Sequence, residues 1–464
     1  MIRTMMRYIR EFKRAAIATP VFMILEVIME VIIPLMMSSI VDKGVEAGNI
    51  GHIYKMGIFM FMAALFSLTV GILGGKYGAK ASAGLERNLR QGMYDNIQTY
   101  AFSNIDKYST AGLVTRLTTD VTNVQNAFQM SLRMGTRAPA SLLFAMFMAF
   151  TIDARIASVY LGAVLFLGTC LFLIMRRTTR YFDQVFKKYD DLNSSVQENA
   201  SSIRVVKAFV REEYEKGKFK SASENVYKMF VNAEKILVLN SPLMQLTVYS
   251  CILLISWIGA KFIVAQSLTT GQLMNLLTYC MNILMSLMML SMIFVMLTMS
   301  SASMKRIAEV LNEKADIENP QNPVTQVKDG SITFENVDFA YNKTAEKPVL
   351  SNIIGGTGSA KTSLVNLISR LYDVTGGAVL VGGRDVREYD LEVLRNEVSV
   401  VLQKNVLFSG TILENLRWGD ENASEKECIR ACQLACADEF IQKMPEKYNT
   451  YIEQGGTNVS GGRF

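Results

Sequence analysis

Six stretches of about 20 apolar residues, near 15–40, 54–75, 131–152, 155–175, 243–265 and 271–300, restrict this chain more than anything else in it. Segments of that length cross a bilayer as helices, because a helix satisfies its own backbone hydrogen bonds in hydrocarbon. Hydrophobic residues make up 50% of the 464 and charged ones 19%. The apolar residues concentrate before the polar bridge E-N-P-Q-N-P around Pro320 and Pro323, and the remainder of the chain reads as a soluble α/β domain. Net charge is +6, but the excess is positional, which fits membrane topology and argues against nucleic-acid binding. Arg176, Arg177, Arg180, Lys187, Lys188, Arg204, Lys207 and Arg211 crowd the fourth-to-fifth connection, and Arg87, Arg90 and Arg116 the second-to-third. The turns near Asp153 and Lys261 are short and carry little charge. By the positive-inside rule both chain ends face the cytoplasm of a multi-pass plasma-membrane protein. The long cytoplasmic connections keep the helical pattern, so the spanning helices are expected to run past the bilayer.

The first residues, 1–14, place Arg3, Arg7, Arg10 and Arg14 at helical spacing, with Ile2, Met6, Ile9 and Phe12 on other faces. That pattern predicts an amphipathic helix lying in the membrane surface. The lone histidine, His52, falls in an expected loop with no partner in view, which removes histidine-based catalysis. Cys428, Cys432 and Cys436 recur every four residues on one predicted helix. They read as small packing residues in a reduced cytosol rather than as metal ligands.

Some polar residues fall inside the spans. Glu26 and Glu30 lie one turn apart on one face of the first, where a charge facing lipid costs about 2.5–3.5 kcal/mol. They either line a translocation cavity that favours cationic amphipathic cargo, or are water-exposed near the outer leaflet or paired with a lysine. The sixth span is rich in methionine, and Asn275, Asn282 and Ser286 share one of its faces, marking the cavity side.

After the bridge, S-I-T-F-E-N-V-D-F-A-Y alternates as a strand with Ile332 and Phe334 on one face, and A-V-L-V-G-G-R-D-V reads as a short strand pair. Between them stands I-G-G-T-G-S-A-K-T-S, a glycine-rich turn running into the apolar helix S-L-V-N-L-I-S-R-L-Y. Gly355, Gly356, Thr357, Gly358, Ser359, Ala360, Lys361, Thr362 and Ser363 fit a loop whose backbone N–H groups cradle phosphates. In such a loop the lysine meets the outer phosphates and the hydroxyl holds Mg²⁺. Ala360 stands where the pattern has its last glycine, a cost of on the order of 1 kcal/mol if that position needs positive φ.

At this point the chain resembles a half-transporter of the ATP-binding cassette (ABC) exporter family over nearly its whole length. F-S-N-I-D-K-Y-S-T-A-G-L-V-T-R-L-T-T-D-V, with Gly112, Arg116, Leu117 and Asp120, is similar to one family signature in the membrane half. V-Q-E-N-A-S-S-I-R-V-V-K-A-F, with Glu198, Ile203, Arg204, Lys207 and Phe209, is similar to a second. In the family these flank the coupling helices that dock onto the cassettes. The linker Arg306 to Leu311 and the segment Leu407 to Trp418 also resemble the family.

The resemblance implies a six-helix, all-α membrane domain over 15–303, a linker over 304–330 and an incomplete α/β P-loop domain over 331–464. It implies ATP and Mg²⁺ as cofactors. Tyr341 resembles the adenine-stacking aromatic, Lys361 the phosphate lysine, Thr362 the Mg²⁺ hydroxyl, and Gln403 the glutamine that senses metal and γ-phosphate. Ser460, Gly461 and Gly462 resemble the start of the signature that closes on a partner's nucleotide. The expected partners are a second half-transporter, a heterodimer more than a homodimer, together with membrane lipid and a small amphipathic substrate. Three departures accompany the resemblance. Asn352 and Ile353 run almost straight into the loop where the family has more strand. Arg463 replaces a usual glutamine. The chain stops at Phe464 before the acidic strand and switch histidine, so this stretch alone is expected to hydrolyse ATP poorly.

Overall fold

The computed structural model describes residues 2–341, 361–401, 406–456 and 458–459. The chain divides into two compact units, Met1–Asp316 and Ile317–Phe464. In the described part of the first, eleven α-helices succeed one another: α1 (Ile2–Arg7), α2 (Lys13–Ile40), α3 (Ile50–Gln98), α4 (Phe102–Tyr108), α5 (Thr110–Thr115), α6 (Val121–Ile152), α7 (Ala154–Ser201), α8 (Ile203–Ala208), α9 (Glu212–Leu237), α10 (Asn240–Val264) and α11 (Thr270–Asn312). Among the described residues, six helical runs are long and apolar enough to cross a membrane, and each overlaps one of the six apolar stretches of the sequence. The 49 residues of α3 reach about 74 Å, more than twice the ~30 Å hydrocarbon core, so the helix continues well into the cytoplasm.

The turns are economical. Asp153 alone separates α6 from α7, and its carboxylate accepts from the N–H groups of Arg155 (2.8 Å) and Ile156 (3.1 Å), capping the new helix. Thr269 and Gln272 cap α11 reciprocally. Asp42, in a π-turn at the end of α2, reaches the same helix start: the Thr269 hydroxyl and the Gly271 N–H donate to it at 2.7 and 2.8 Å. Gly271 has to be glycine, since a Cβ there would stand 2.5 Å from the Ser38 carbonyl oxygen.

Close packing of α2 on α3 uses a small face of α3. A Cβ at Gly74 would overlap Met23 of α2, and one at Gly78 would stand 3.3 Å from Thr19. The main membrane core gathers Val27, Ala149, Tyr160, Ile255, Tyr279 and Ile283. Its buried hydroxyls are anchored to main chain, Tyr160 to Leu276 (2.9 Å) and Tyr279 to Val31 (2.7 Å). A second, cytoplasmic core joins Met5 and Ile9 to Leu85, Leu89, Val121 and Ile307.

The N-terminal segment departs from the expected surface helix. It is a six-residue helix followed by a 3₁₀ turn, broken where Arg10 takes φ 42°. Met5 and Ile9 are buried in protein rather than offered to lipid. Tyr8 and Phe12 sit over Gly92 and Gly84 of α3, where added Cβ atoms would overlap the two rings. Asn88 donates to the Tyr8 carbonyl (2.9 Å), and Glu11 pairs with Arg87.

In the second unit β1 (Ile332–Asp338) precedes α12 (Lys361–Ile368). The antiparallel pair β2 (Gly376–Val381) and β3 (Arg384–Asp385) comes next. β1 pairs antiparallel with β2, Phe334 opposite Val379. Gly382 and Gly383, both at positive φ, form the two-residue turn between β2 and β3 that the sequence predicts. The expected alternation of β1 holds less well: Ile332 is 47% exposed, and a bulge at Asn336 (φ 48°) shifts the inward positions to Val337 and Phe339. α13 (Leu391–Glu397) closes a core of Phe339, Leu367, Val381, Tyr389 and Leu394. β4 (Gly410–Thr411), α14 (Ile412–Leu416), α15 (Glu425–Leu434) and β5 (Tyr451–Ile452) surround a smaller core.

Two smaller expectations change. α15 ends at Leu434, so Cys436, exposed and at φ 57°, leaves the face that Cys428 and Cys432 share in the core. His52 lies in the first turn of α3, not in a loop, and its Nε2 is 3.0 Å from the Ser39 hydroxyl.

Candidate functional site

The phosphate-loop residues Gly355, Gly356, Thr357, Gly358, Ser359 and Ala360, together with Gln403, Ser460, Gly461 and Gly462, lie outside the described residues. The frame on either side of the loop is described. α12 opens at Lys361, whose backbone is helical, and Thr362 comes next, exposed, in the first turn. A helix start concentrates unpaired N–H groups and the positive end of the backbone dipole, which suits an anion. The apolar stripe Leu364, Leu367 and Ile368 anchors α12 in the core beside Val379. That anchoring fixes the first turn relative to the sheet.

The Tyr341 hydroxyl stands 2.7 Å from the Ser363 hydroxyl, tying the end of the first strand region to the first turn of α12. Phe339 and Tyr372 meet the Tyr341 ring edge-on, with centroids 4.8 and 5.1 Å away and planes at 74° and 89°. Tyr341 remains 48% exposed. Beyond α12, Arg395 donates to the carbonyls of Ser369 (3.4 Å) and Arg370 (3.1 Å), closing the helix end, and Arg370 pairs with Asp373 at 2.9 Å. Burial lowers the Arg395 pKa, with the neighbouring Arg370 charge acting the same way.

Within the membrane helices the two glutamates have a basic partner that sequence reading did not single out. Arg137 of α6 reaches Glu26 Oε1 with one arm (3.0 Å) and Glu30 Oε2 with the other (3.1 Å). Two carboxylates against one guanidinium leave one net negative charge. Arg133, one turn earlier on α6, lies against Gly78, and its Nε has no hydrogen-bond partner among the described residues. The available signal was two arginines four residues apart at the start of the third apolar stretch. Asn275, Asn282 and Ser286 do not act together. Asn275 and Ser286 are buried, and the Ser286 hydroxyl is spent on the Asn282 carbonyl of its own helix (2.7 Å).

The first family signature becomes legible as contacts around the end of α11. Asp120, 1% exposed, takes both arms of Arg306 at 2.7 and 2.5 Å and the Ser303 hydroxyl at 2.8 Å. Arg116 pairs with Glu309 (3.4 Å), the Leu117 carbonyl accepts from Arg90 (3.0 Å), and the Gly112 N–H caps onto Ser109. Glu313 gathers Lys107 on both oxygens (2.7 and 2.9 Å), the Tyr108 hydroxyl (2.6 Å) and the Asn104 amide (3.2 Å). The bond from Lys107, then that from Tyr108, holds the Glu313 carboxyl below its ordinary pKa. Burial first, then the bond to Glu313, pushes Tyr108 up to about 12. The second signature shows its polar residues bonded locally, Glu198 to Lys218 (2.9 Å) and Lys207 to Glu212 (3.0 Å). Phe209 and Val210, just after α8, remain 73% and 80% exposed.

Comparison with known proteins agrees with this division. Residues 17–288 match the family model of the ABC transporter transmembrane region, and residues 334–463 match a second family model, described as ABC transporter. The ABC transporter ATP-binding protein YfiB of Bacillus subtilis (strain 168) is 31% identical over 455 residues, 96% of this chain and 79% of its own length. Rv1273c of Mycobacterium tuberculosis (strain ATCC 25618 / H37Rv), also an ABC transporter ATP-binding protein, is 31% identical, covering 98% of this chain and 81% of its own length. The ATP-dependent lipid A-core flippase of Syntrophus aciditrophicus (strain SB) is 29% identical over 81% of this chain and 64% of its own length. The fused membrane region and cassette match exporter-type half-transporters, with six spans in the plasma membrane and the cassette on the cytoplasmic side. By its helices, its nucleotide-binding frame and these matches, the chain belongs to the ABC transporter family.

Proposed function

We propose that the chain is one half of a dimeric exporter that spends ATP to move a small amphipathic or lipid-like substrate across the membrane. The observation that carries this reading is a glycine-rich loop running into a core-anchored helix, bonded through Ser363 to Tyr341, in a chain with six membrane helices. In it, Lys361 meets the outer phosphates, the Thr362 hydroxyl and Gln403 supply hard oxygen ligands suited to Mg²⁺, and Tyr341 offers its ring to adenine. Ser460, Gly461 and Gly462 serve the partner's nucleotide, so each site needs both halves. The likeness of the stretch ending at Phe209 to the family's second membrane-half signature, with Phe209 and Val210 exposed, supports transmission of nucleotide-driven movement to the membrane helices. ATP favours the closed dimer, and hydrolysis with phosphate release resets it. That one relative is named a lipid A-core flippase supports a lipid-like substrate class.

The Glu26–Arg137–Glu30 bridge bears on charge preference. With one net negative charge, and Arg133 one turn away, it favours a cationic amphiphile less than two free carboxylates would. A second reading, a nucleotide-binding partner in a heterodimer with one weakened ATP site, draws on Ala360 and Arg463.

The test is ATP-dependent uptake into inside-out vesicles of a fluorescent amphiphilic cation and a fluorescent phospholipid. Lys361→Ala should abolish uptake of whichever is carried. Uptake that persists in that variant contradicts an ATP-driven role for this loop. Loss in the partner chain's equivalent variant alone selects the heterodimer reading.

A further inference from the structure

Arg133 stands on α6 at the start of the third apolar stretch, one turn before Arg137. Thr19 is near the start of the first stretch and Gly78 just past the end of the second, so all three mark the cytoplasmic edge of the hydrocarbon. A Cβ at Gly78 would stand 3.3 Å from both Cγ and Cδ of Arg133 and 3.3 Å from the Thr19 methyl, so the bare glycine seats the arginine stem. The guanidinium is not matched in the same way. Its Nε is buried and unbonded, and the two Nη groups, equally unbonded among the described residues, are not buried and reach open space.

The helices that enclose the stem offer it no free carboxylate. α6 itself carries no acidic residue. On α2, Glu26 and Glu30 both pair with Arg137, and the Thr19 hydroxyl is spent on the Ala15 carbonyl (3.0 Å). On α3, Glu86 holds Arg90 (2.7 Å) and accepts from the Thr122 hydroxyl (3.3 Å), while Asp95 accepts from Gln91 (2.7 Å). A guanidinium keeps its charge at any working pH, offers donors only, and presents a planar fork that matches two oxygens of a phosphate. Left uncompensated at the edge of a bilayer it is costly, and such residues are kept where an anion completes them. The cytoplasmic leaflet supplies anions of this kind as lipid phosphates.

We propose that Arg133 binds the phosphate head group of an anionic amphiphile at the cytoplasmic leaflet. The two Nη groups donate to two phosphate oxygens, and the apolar chain lies alongside in the hydrocarbon. The amphiphile is either cargo or a resident membrane lipid, and the chemistry at Arg133 is the same for both. The inference rests on the transport reading only where the amphiphile is cargo, which then gives the lipid-like substrate a negative head group. Binding is measured without nucleotide, so its failure leaves the ATP-driven reading standing.

The experiment uses the full-length transporter in phosphatidylcholine nanodiscs, with radiolabelled dodecyl phosphate as probe and dodecanol and inorganic phosphate as competitors, against empty nanodiscs. Dodecyl phosphate should bind the wild type saturably, and neither competitor should displace it. Arg133→Gln should weaken binding about tenfold. With no ion pair to lose, that variant should also keep the wild-type unfolding midpoint, which a structural role for Arg133 would lower. Arg133→Lys, which keeps the charge and gives up the fork, should fall between the two. Lys80→Gln, which removes an exposed cation two residues from Gly78, should leave binding unchanged. No saturable binding to the wild type, or equal affinity in Arg133→Gln, overturns the assignment. An equal loss in Lys80→Gln means diffuse surface charge, and displacement by inorganic phosphate means a free ion; either overturns it as well. In proteoliposomes, ATP-driven movement of fluorescent phosphatidylglycerol that slows in Arg133→Gln upholds the site with cargo as its occupant. Unchanged movement beside weakened binding upholds it with a resident lipid.

Discussion

Arg137 among the membrane helices and Glu313 at the cytoplasmic end of α11 each centre a cluster of opposite charges, and the two are built by opposite rules. Arg137 divides one guanidinium between two carboxylates a turn apart on α2, and neither glutamate has another hydrogen-bond partner among the described residues. Glu313 receives four bonds from three residues, two of them uncharged, while a backbone frame ties the same two segments together. In that frame Asn96 donates to the Val310 and Glu313 carbonyls at 2.7 and 2.9 Å, and Tyr100 to Val310 at 2.8 Å. Where hydrocarbon surrounds a helix, an unpaired charge has no water to fall back on, so pairing is sparse and each partner is indispensable. At the wet end, redundancy replaces charge matching, and the loss of one partner is spread over the rest.

The sharpest way to break this contrast is Arg137→Met, which strands Glu26 and Glu30 without their cation. It should cost about 3 kcal/mol, read as a lowered unfolding midpoint of the purified transporter or as failure to accumulate in the membrane. Adding Glu26→Gln and Glu30→Gln to the same protein should recover most of that loss. An Arg137→Met protein as stable as the wild type would dissolve the distinction.

A smaller effect is expected from Glu313→Gln, whose carbonyl oxygen can keep the Asn104 bond while the ion pair is lost and the Tyr108 hydroxyl meets an NH₂ that cannot accept its proton. It should cost about 1 kcal/mol, seen as roughly fivefold faster amide exchange across α4 and α5. A loss as large as that of Arg137→Met would mean the wet cluster has no redundancy.

The smallest effect concerns pH. Glu313 lies below its ordinary 4.5, chiefly through Lys107, so its contribution is present above that value and is lost as pH falls through the lowered pKa. Lys107 is raised from 10.5 by its bond to Glu313, so its contribution is present below 10.5 and is lost as pH rises through the raised pKa. Protection of α4, corrected for intrinsic exchange, should therefore stay flat from roughly pH 5 to 10. A step near pH 7 would point to a titrating group outside this cluster.

Much of the membrane unit was readable because apolar length is a one-dimensional signal. All six spans, the cytoplasmic extension of the helices and the hairpin at Asp153 derive from it. The strand pair around Gly382 and Gly383 was readable for a similar reason, since adjacent glycines between alternating residues specify a tight turn. Relations between distant segments were the part that escaped. Arg137 is 107 residues from Glu30, and nothing local in either stretch announces the other. Asp42 at the start of α11 and His52 against Ser39 belong to the same class. Cys436 was misplaced because four-residue spacing implies a shared face only while the helix lasts, and α15 stops at Leu434. At the nucleotide frame, sequence named Tyr341 and Ser363 separately, and the fold supplies the 2.7 Å bond between them.

The seats for Tyr8 and Phe12 carry one more consequence. The opening dozen residues have little persistence of their own, with two turns of helix and a left-handed residue at Arg10. Their path is written on a different helix, in two hollows eight positions apart at Gly84 and Gly92. A methyl group in either hollow evicts a ring, so an alanine deep in α3 would redirect the chain's beginning without altering a single residue there.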